Sequence, residues 1–318
     1  MHALLTGSTD GIGRAAAFHI SRTGAVKTLV LHGRSADKVS SLAKELREGG
    51  PCNVELKIVL GDYSSLESVV ELAEEVASVC PELNCVINNA GVLVDYHSLT
   101  KDGHEMTLGV NHVAPVVLTL KLLPLLERNK PSRLINVASM AHLYVGMSMA
   151  YKDEATGKTI RDGSPLTSID FSKVNPKVSA DFNPYFQYSL SKLGNVFFTT
   201  ELERRMRLPE NCERFKGVVV NCLHPGVIDT KLFNVLSHRL GSSFTPSAVD
   251  SGIITIMHLL TSEEGGLVSG RYFNEEGRIA AANAIAENIE EMQKFWQVTV
   301  TMWAEAFVDG RYKSLNAL

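Results

Sequence analysis

Short apolar runs alternate along the chain with longer segments in which apolar residues recur at helical spacing. Runs of this kind predict buried strands, whereas the helical spacing predicts helices that pack one face against a core. The predicted strands are residues 3–5, 28–31, 54–60, 85–88, 133–138, 218–223 and 270–273. The predicted helices are residues 12–22, 36–47, 66–79, 103–128 with a break near Pro115, 185–207 and 284–307.

This alternation of strands and helices indicates right-handed βαβ units and a parallel sheet. Residues 134–138 are apolar almost throughout, which is typical of strands covered on both faces. We therefore predict an α/β fold with a Rossmann-like doubly wound parallel β-sheet, arranged as a three-layer α/β/α sandwich. No linker rich in Pro, Gly or Ser divides the chain, so we expect one domain over residues 1–318.

Residues 146–184 interrupt this rhythm because they are polar and irregular. They contain Gly157-Lys158-Thr159, which looks like part of a triphosphate-binding loop. The glycine that such a loop needs five residues before Gly157 is replaced by Lys152, so we reject that interpretation. Two interpretations of the segment stay open: a surface insertion such as a hairpin, or a wall or lid of the active site.

The composition is that of a soluble globular protein, with 45% hydrophobic residues in 318. The net charge of −4 and the dispersed basic residues argue against a nucleic-acid partner. No apolar run reaches the ~18 residues of a membrane span, and no secretory signal is recognisable at Met1, so we expect no membrane span and a cytoplasmic location. The five scattered cysteines, without a Cys-x-x-Cys motif, predict reduced thiols and no metal site.

A glycine-rich turn joins the first predicted strand to the first predicted helix. Residues without Cβ let the backbone approach a pyrophosphate, and the helix N-terminus supplies unpaired N–H groups and partial positive charge. The strand before the turn and the helix after it favour a dinucleotide site over a plain turn. The predicted contacts are Gly7, Ser8, Thr9, Asp10, Gly11, Ile12 and Gly13.

Arg34 follows the second predicted strand, where a cofactor with a free 2′-hydroxyl would be held by Asp or Glu. A guanidinium can instead grip a 2′-phosphate through two parallel hydrogen bonds, and Ser35 could donate another. This favours NADP over NAD, although Asp10 in the glycine turn adds no positive charge. The plainer interpretation makes Arg34 a solvated loop residue.

Two further segments follow predicted strands at the same edge of the sheet. Asp62, next to Tyr63, could accept a hydrogen bond from an adenine amino group, or it could cap the helix that begins near Ser65. The segment Asn88-Asn89-Ala90-Gly91 combines small residues that admit a cofactor with asparagines that can tie neighbouring strands together. We therefore count Asp62, Tyr63, Asn89, Ala90 and Gly91 among the predicted cofactor contacts.

Tyr188 and Lys192 are spaced so that both lie on one face of a predicted helix. A cation beside a phenol favours the phenolate, so we expect Lys192 to lower the pKa of Tyr188. Alone, such a pair is more often two ordinary helix residues. His142 and His224 stand near the other candidates, and for both we favour a structural role.

With Ser139 after the fifth predicted strand and Pro225-Gly226 after the sixth, these motifs stand in the order typical of the short-chain dehydrogenase/reductase family, which the chain resembles. Within that family, residues 188–198 resemble the Tyr-x-x-Ser-Lys-Leu-Ala-Asn-x-Leu-Phe segment of the branch with retinol dehydrogenases, WW-domain oxidoreductase and protochlorophyllide reductase. The gap between Ser139 and Tyr188 is longer than is usual in the family, which places an insertion at about residues 145–166.

The resemblance implies a catalytic tetrad of Asn111, Ser139, Tyr188 and Lys192. Tyr188 would exchange a proton with the substrate oxygen, which Ser139 holds. Asn111 would open its helix locally and hold a water linked to Lys192. The resemblance also places the nicotinamide near Pro225, Gly226, Val227 and Thr230, ahead of a substrate loop at about residues 227–246.

The expected activity is hydride transfer between NADP(H) and a small apolar alcohol, aldehyde or ketone. The apolar residues Leu232, Phe233, Val235 and Leu236 of the substrate loop suggest the apolar pocket. The alternative is a catalytically silent, NADP(H)-sensing interaction protein on the same fold. Helices near residues 112–128 and 186–206 resemble those through which many relatives dimerise, so a homodimer is a further expectation.

Overall fold

The computed structural model of the protein describes residues 1–147, 151–152, 159–160, 163–235, 237 and 245–306. The main strands are β1 (His2–Leu5), β2 (Thr28–Gly33), β3 (Glu55–Leu60), β4 (Cys85–Asn88), β5 (Ser132–Val137), β8 (Val218–Leu223) and β9 (Tyr272–Phe273), and a separate hairpin holds β6 (Tyr151–Lys152) and β7 (Thr159–Ile160). The helices are α1 (Gly11–Thr23), α2 (Ala36–Glu48), α3 (Leu66–Val79), α4 (Met106–Leu108), α5 (Ala114–Arg128), α6 (Pro184–Met206), α7 (Lys231–Asn234), α8 (Ile254–Thr261), α9 (Glu264–Leu267) and α10 (Ile289–Ala306).

The seven main strands form one parallel sheet in the order β3-β2-β1-β4-β5-β8-β9. Two hydrophobic layers cover it. One contains α3, α5, α6 and α10, and the other contains α1, α2 and α8. The strand order reverses between β1 and β4, which is the switch point at which open α/β sheets bind ligands. The predicted doubly wound, three-layer α/β/α fold is therefore confirmed.

The sequence pattern located most elements closely. The bounds of α3, β4 and β8 agree with the prediction, and other predicted ends differ by one or a few residues. The pattern missed α8 and α9, which follow a 3₁₀ turn at Val249–Ile253. Because α8 is a short, almost wholly apolar segment, its periodicity does not distinguish a helix from a strand.

The predicted break in the helix at residues 103–128 is present as a π-helical turn at Gly109–Val113. The segment Met106–Arg128 is long and apolar enough to cross a membrane, but most of it is buried inside the fold. That burial is what a core helix of the sheet's covering layer requires.

Helix α10 packs across α6 on the outer side of this layer. Trp296 stacks on Phe198 with ring centroids 5.8 Å apart, and the Arg205 guanidinium lies 4.4 Å from the centre of the Trp296 ring. Phe295 and Trp303 are buried in the core. The aromatic residues of α10 thus make core contacts, as their helical spacing favoured.

The insertion at about residues 145–166 holds the β6–β7 hairpin, whose strands are antiparallel. Most of the rest of it, including Gly157 and Lys158, lies outside the described residues. All five cysteines are free thiols, as predicted.

Candidate active site

The carboxyl ends of four neighbouring strands meet at one edge of the sheet. Leu5 pairs with Ile87, Asn88 with Asn136, and Val137 with Leu223. The residues that follow these strands therefore emerge side by side. This register brings together the glycine turn, the Asn88–Gly91 segment, Ser139 and the Pro225–Gly226 turn, which the sequence separates by more than 200 positions.

The backbone of the glycine turn leaves no room for a Cβ at Gly7 or Gly13. Gly7 has a φ of +64°, and a Cβ there would lie 2.8 Å from the Cα of Ala90. A Cβ on Gly13 would lie 2.1 Å from the Gly7 carbonyl oxygen. The turn leads directly into the N-terminus of α1, whose first N–H groups face an approaching ligand. This cradle fits the pyrophosphate of a dinucleotide.

Asn89 and Thr6 lock the turn to the end of β4. The Thr6 hydroxyl accepts hydrogen bonds from the Asn89 and Ala90 N–H groups, both at 3.0 Å. The Asn89 amide donates to the carbonyls of Thr6 and Gly7, at 2.9 and 3.3 Å. Asn89 therefore shapes the cradle from within, a role that the sequence pattern assigned to it only in general terms.

The other residues of the turn have partners within the protein. The Ser8 hydroxyl donates to the His32 carbonyl at 3.0 Å, and Asp10 caps α1 and forms an ion pair with Lys231. Ile12 lines the cleft described below. Asp10 thus joins the turn to α7 instead of facing a cofactor phosphate.

Arg34 lies at the end of β2 and is exposed, and within the described chain it forms no ion pair. Ser35 caps α2, with its hydroxyl accepting from the Lys38 N–H at 3.4 Å. The Arg34 guanidinium is accordingly available to an anionic group placed at the edge of the cradle.

Asp62 does not cap α3, so that interpretation is wrong. Ser65 caps the helix, and the Asp102 carboxylate accepts from Leu66 N–H at 2.9 Å. Asp62 accepts from Ser64 N–H at 3.0 Å and lies 3.5 Å from the Lys101 ammonium. Partial burial opposes its ionisation, but these contacts together hold its pKa below the usual value.

The Tyr63 ring is buried and stacks on His32, with ring centroids 5.1 Å apart. Its side chain therefore supports the wall of the cradle instead of facing the cleft.

Asn111 lies within the π-helical turn, so the helix opens at this residue as the resemblance implied. Its side chain clamps the backbone of Val92: Oδ1 accepts from the Val92 N–H at 2.7 Å, and Nδ2 donates to the Val92 carbonyl at 2.8 Å. Nδ2 also donates to the Ser191 hydroxyl at 3.1 Å. Asn111 thereby fixes the chain after Gly91 against α6.

Ser139, Tyr188 and Lys192 converge on one buried point. Ser139 and Tyr188 line the same cleft, and the Ser139 hydroxyl lowers the pKa of the Tyr188 phenol. The Lys192 ammonium lies 5.8 Å from the centre of the Tyr188 ring and donates to the Val137 carbonyl at 3.0 Å. Tyr188 and Lys192 are 5% and 4% exposed, so little water surrounds either group. All three predicted groups are therefore brought together.

We expected Lys192, helped by the positive nicotinamide of an oxidised cofactor, to lower the pKa of Tyr188; the protein's own groups do not produce that lowering. Burial raises the pKa of Tyr188 to about 12, although the hydrogen bond with Ser139 acts in the opposite direction. Burial lowers the pKa of Lys192 to about 8. Desolvation is the largest cause of the shift for both groups. Tyr188 is thus a neutral phenol at physiological pH, the form that donates a proton.

A cleft of about 140 Å³ opens over these groups. The predicted cofactor contacts on its lining include Gly91, Pro225, Gly226, Val227 and Thr230. Its remaining wall is mostly apolar or aromatic and includes Met140, Tyr144, Tyr185, Leu232 and Phe233. Thr230 caps α7, and positions 236 and 238–244 of the predicted substrate loop lie outside the described residues.

A buried polar chain lies beneath the cleft, and it confirms that an asparagine of the Asn88–Gly91 segment ties neighbouring strands together, although the sequence pattern did not identify its partners. The Asn88 amide donates to Thr119 Oγ1 and to Asn136 Oδ1, both at 2.9 Å. The Asn136 amide donates in turn to Thr199 Oγ1 at 2.9 Å. This chain ties β4, β5 and α6 together, and polar residues inside apolar strands were its only signal in the sequence.

His142 and His224 also lie at the site, as buried residues. His224 lines the cleft, whereas His142 sits behind Ser139 with its Nδ1 2.6 Å from the Ser139 carbonyl oxygen.

One group of possible metal ligands occurs within the described part of the chain, away from this site. Ligand atoms of His2, Cys80 and Glu82 lie within 4.8 Å of one another, near the start of β1. Burial raises the pKa of the Cys80 thiol to about 11, which disfavours the thiolate that a metal requires. We assign no metal to it.

Comparison with known proteins agrees with this geometry. A family model described as short chain dehydrogenase matches residues 1–151. Human retinol dehydrogenase 14 is 31% identical over 323 residues, covering 94% of this chain and 85% of the relative. Human retinol dehydrogenase 13 is 31% identical over 304 residues, covering 92% and 81%. The chain belongs to the short-chain dehydrogenase family. Within this family of oxidoreductases it falls in the retinol dehydrogenase branch.

Solved structures of short-chain dehydrogenases share the fold. The NADPH-bound carbonyl reductase from chicken fatty liver superposes with a TM-score of 0.59 at 20% identity, covering 88% of this chain and 98% of that one. The NADP-bound 3-oxoacyl (acyl-carrier-protein) reductase from Agrobacterium tumefaciens C58 gives 0.60 at 18% identity, covering 86% and 92%.

Proposed function

We propose that the protein is an NADP(H)-dependent oxidoreductase that acts on an apolar aldehyde or ketone and on the corresponding alcohol. The observation that carries the proposal is the buried group at the base of the cleft. Ser139 lines the cleft together with a neutral Tyr188, and the Lys192 ammonium lies 5.8 Å from the centre of the phenol ring. A neutral phenol and a hydroxyl on the lining of one cleft can together bind a carbonyl oxygen.

The chain's residues would divide the work as follows. When bound, NADP(H) supplies the hydride for reduction or accepts it in oxidation. The Ser139 hydroxyl holds the substrate oxygen near Tyr188, and the phenol gives that oxygen its proton. Lys192 places a positive charge beneath the site, and Asn111 keeps the chain at Val92 fixed against α6. Because the pKa of Tyr188 is about 12, the protonated phenol required for reduction is the resting form.

The preference for NADP over NAD rests on Arg34. Its exposed guanidinium stands at the end of β2, next to the glycine cradle, without an ion-pair partner in the described chain. Two structural neighbours are named as bound to NADPH or NADP, which supports a cofactor of this kind.

The substrate class follows from the walls of the cleft. Tyr144, Tyr185, Leu232 and Phe233 offer aromatic and aliphatic surface, and Lys192 is the one cationic side chain among the described lining residues. Such a lining suits an apolar body that ends in a carbonyl group. The relatives named as retinol dehydrogenases make retinoid aldehydes natural members of the test panel.

A spectrophotometric screen tests the proposal. NADPH and NADH oxidation would be followed with aldehydes, ketones and quinones, including an apolar polyene aldehyde. We expect turnover of apolar carbonyl compounds with NADPH and slower turnover with NADH. Tight NADPH binding without turnover of any compound would instead favour the silent, cofactor-sensing alternative.

A homodimer and a cytoplasmic location remain proposals. Helix α10 covers part of the α6 face, so a dimer formed through α5 and α6 would have to include α10. Light scattering of the eluting protein and fractionation of the cell that expresses it would test the two proposals separately.

A further inference from the structure

Two histidines lie directly behind the catalytic residues, and their chain positions explain why they are neighbours. Val137 at the end of β5 is paired with Leu223 at the end of β8, and the Ala138 N–H donates to the Leu223 carbonyl at 2.8 Å. His142 lies in the 3₁₀ turn Met140–Tyr144, which comes shortly after β5, and His224 directly follows β8. The sheet thus starts both segments side by side.

The hydrogen bond of His142 defines its tautomer. Its Nδ1 lies 2.6 Å from the Ser139 carbonyl oxygen, and a carbonyl oxygen can only accept. Nδ1 therefore carries the hydrogen. Burial lowers the pKa of His142 to about 4, so the ring is neutral at physiological pH and its Nε2 carries a lone pair. That Nε2 is buried and finds no partner among the described residues.

His224 presents a matching unpaired group. Its ring is buried and lines the cleft, and its Nδ1 has no partner in the described chain. Burial lowers its pKa to about 3, and the charges of His142 and Lys192 act in the same direction. Each histidine thus leaves one buried ring nitrogen without a partner in the described chain, and the two segments start side by side at the edge of the sheet.

An unpaired buried nitrogen destabilises the fold, so two of them on adjoining segments favour a partner that both can use. A single water can donate to one ring and bond to the other, because a buried water makes about three hydrogen bonds. We propose that His142 and His224 share a buried water through Nε2 and Nδ1, and that this unit holds Ser139 and the Pro225 turn in register. Both are then positioning residues for the proposed reaction, on which this inference rests.

The surroundings explain why this unit would be rigid. The Asn283 amide donates to the carbonyls of His142 and Leu143, at 3.0 and 3.2 Å. Tyr272 of β9 packs its ring against His142, with centroids 4.6 Å apart. The 3₁₀ turn is thereby fixed on its outer side, and the His142–His224 water would fix it on the side of the cleft.

Nitrogen-15 spectroscopy of the full-length protein labelled at histidine tests the inference without any turnover. At neutral pH we expect His142 as the Nδ1–H tautomer, with an Nε2 signal shifted by a hydrogen bond. In His224→Leu that signal should move toward the position of an unbonded lone pair. An Nε2–H tautomer, or an Nε2 signal that His224→Leu leaves unchanged, would overturn the shared water.

A double-mutant cycle gives the kinetic test. His142→Leu and His224→Leu should each lower kcat about tenfold, and the double variant also about tenfold, because the second change removes a partner already lost. Independent losses of about a hundredfold in the double variant would contradict the inference. His104→Leu, a buried histidine outside the cleft, should leave kcat within about twofold.

NADPH affinity and the unfolding midpoint of each variant separate lost positioning from lost folding. If the wild-type protein turned over no carbonyl compound, the proposed function would fail, while the nitrogen-15 result would still decide the shared water.

Discussion

The glycine turn and helix α6, which carries Tyr188 and Lys192, both border the cleft, but they satisfy their polar groups in different ways. In the turn, Thr6 and Asn89 bond the backbone groups to one another at 2.9 to 3.3 Å. Around α6, Tyr188 and Lys192 are buried with few partners, and His224 leaves a ring nitrogen unpaired within the described residues. The turn is shaped before any ligand arrives, whereas the catalytic side keeps buried polar groups available for chemistry.

This comparison leads us to expect different failures on the two sides. A change in the turn should weaken cofactor binding through steric conflict. A change on the catalytic side should leave cofactor binding intact and slow the reaction, because the altered group acts on the substrate oxygen.

Removal of the Tyr188 hydroxyl should have the largest effect. Tyr188→Phe removes the proton donor without changing the packing, so kcat should fall about 1,000-fold. NADPH affinity, measured by fluorescence titration, should stay within a few-fold of wild type. Tyr96→Phe, on an exposed tyrosine, is the matched control and should be neutral. A Tyr188→Phe variant that retained most of its activity would contradict the role of Tyr188 as the proton donor.

Obstruction of the glycine cradle by a new side chain should have the next largest effect. In Gly13→Ala the new Cβ would meet the Gly7 carbonyl oxygen at 2.1 Å and the Asn89 amide nitrogen at 2.5 Å. The turn must open, and we expect the NADPH dissociation constant to rise about a hundredfold. Calorimetry measures this dissociation constant, and the midpoint of thermal unfolding shows whether the variant is folded. Ala15→Ser, on the same helix beyond the turn, should bind NADPH normally; equal affinity in Gly13→Ala would refute the cradle.

Arg34 lies on the cofactor side of the site, directly after β2, and its substitution tests the recognition of the 2′-phosphate. Arg34→Ala should raise the KM for NADPH about tenfold and leave the KM for NADH nearly unchanged, because only NADPH carries the 2′-phosphate. Steady-state kinetics with both cofactors measures this. Arg47→Ala, an exposed arginine on α2, serves as the control. Equal losses with the two cofactors would show that Arg34 does not read the 2′-phosphate.

The smallest expected effect is the pH dependence on the catalytic side. The pKa of Lys192 is lowered to about 8 and that of Tyr188 is raised to about 12. A lysine loses its positive charge as pH rises through its pKa, so kcat/KM for reduction should be level below pH 8 and fall above it. Between pH 7 and 8.5 the charged fraction of Lys192 drops about fourfold. A rate that instead rises over this range would show that the phenolate is the active form.

The same contrast explains what could be predicted from sequence. The glycine turn, Arg34 and the strand ends follow from local pattern, because a tight turn needs glycine and a parallel sheet aligns its carboxyl ends. Tyr188 and Lys192 were found because their spacing places them on one helix face. These are properties of short segments.

Other features depend on residues far apart in the chain. The ion pair between Asp10 and Lys231 and the network from Asn88 to Thr199 form only when the sheet is assembled. The pKa of Tyr188 was predicted in the wrong direction because spacing reveals a neighbouring charge but not the loss of water around both groups. Burial, which decides that pKa, is a property of the whole fold.

The proposed reaction is hydride transfer between NADP(H) and the carbonyl carbon of an apolar substrate, while Tyr188 protonates the carbonyl oxygen. The most direct measurement is single-turnover reduction with NADPH deuterated at the transferable position, followed by mass analysis of the alcohol. With wild-type protein we expect deuterium on the carbinol carbon. In Tyr188→Phe we expect the same product to form about 1,000-fold more slowly. Consumption of NADPH without deuterium in the alcohol, or equal rates in the two proteins, would contradict it.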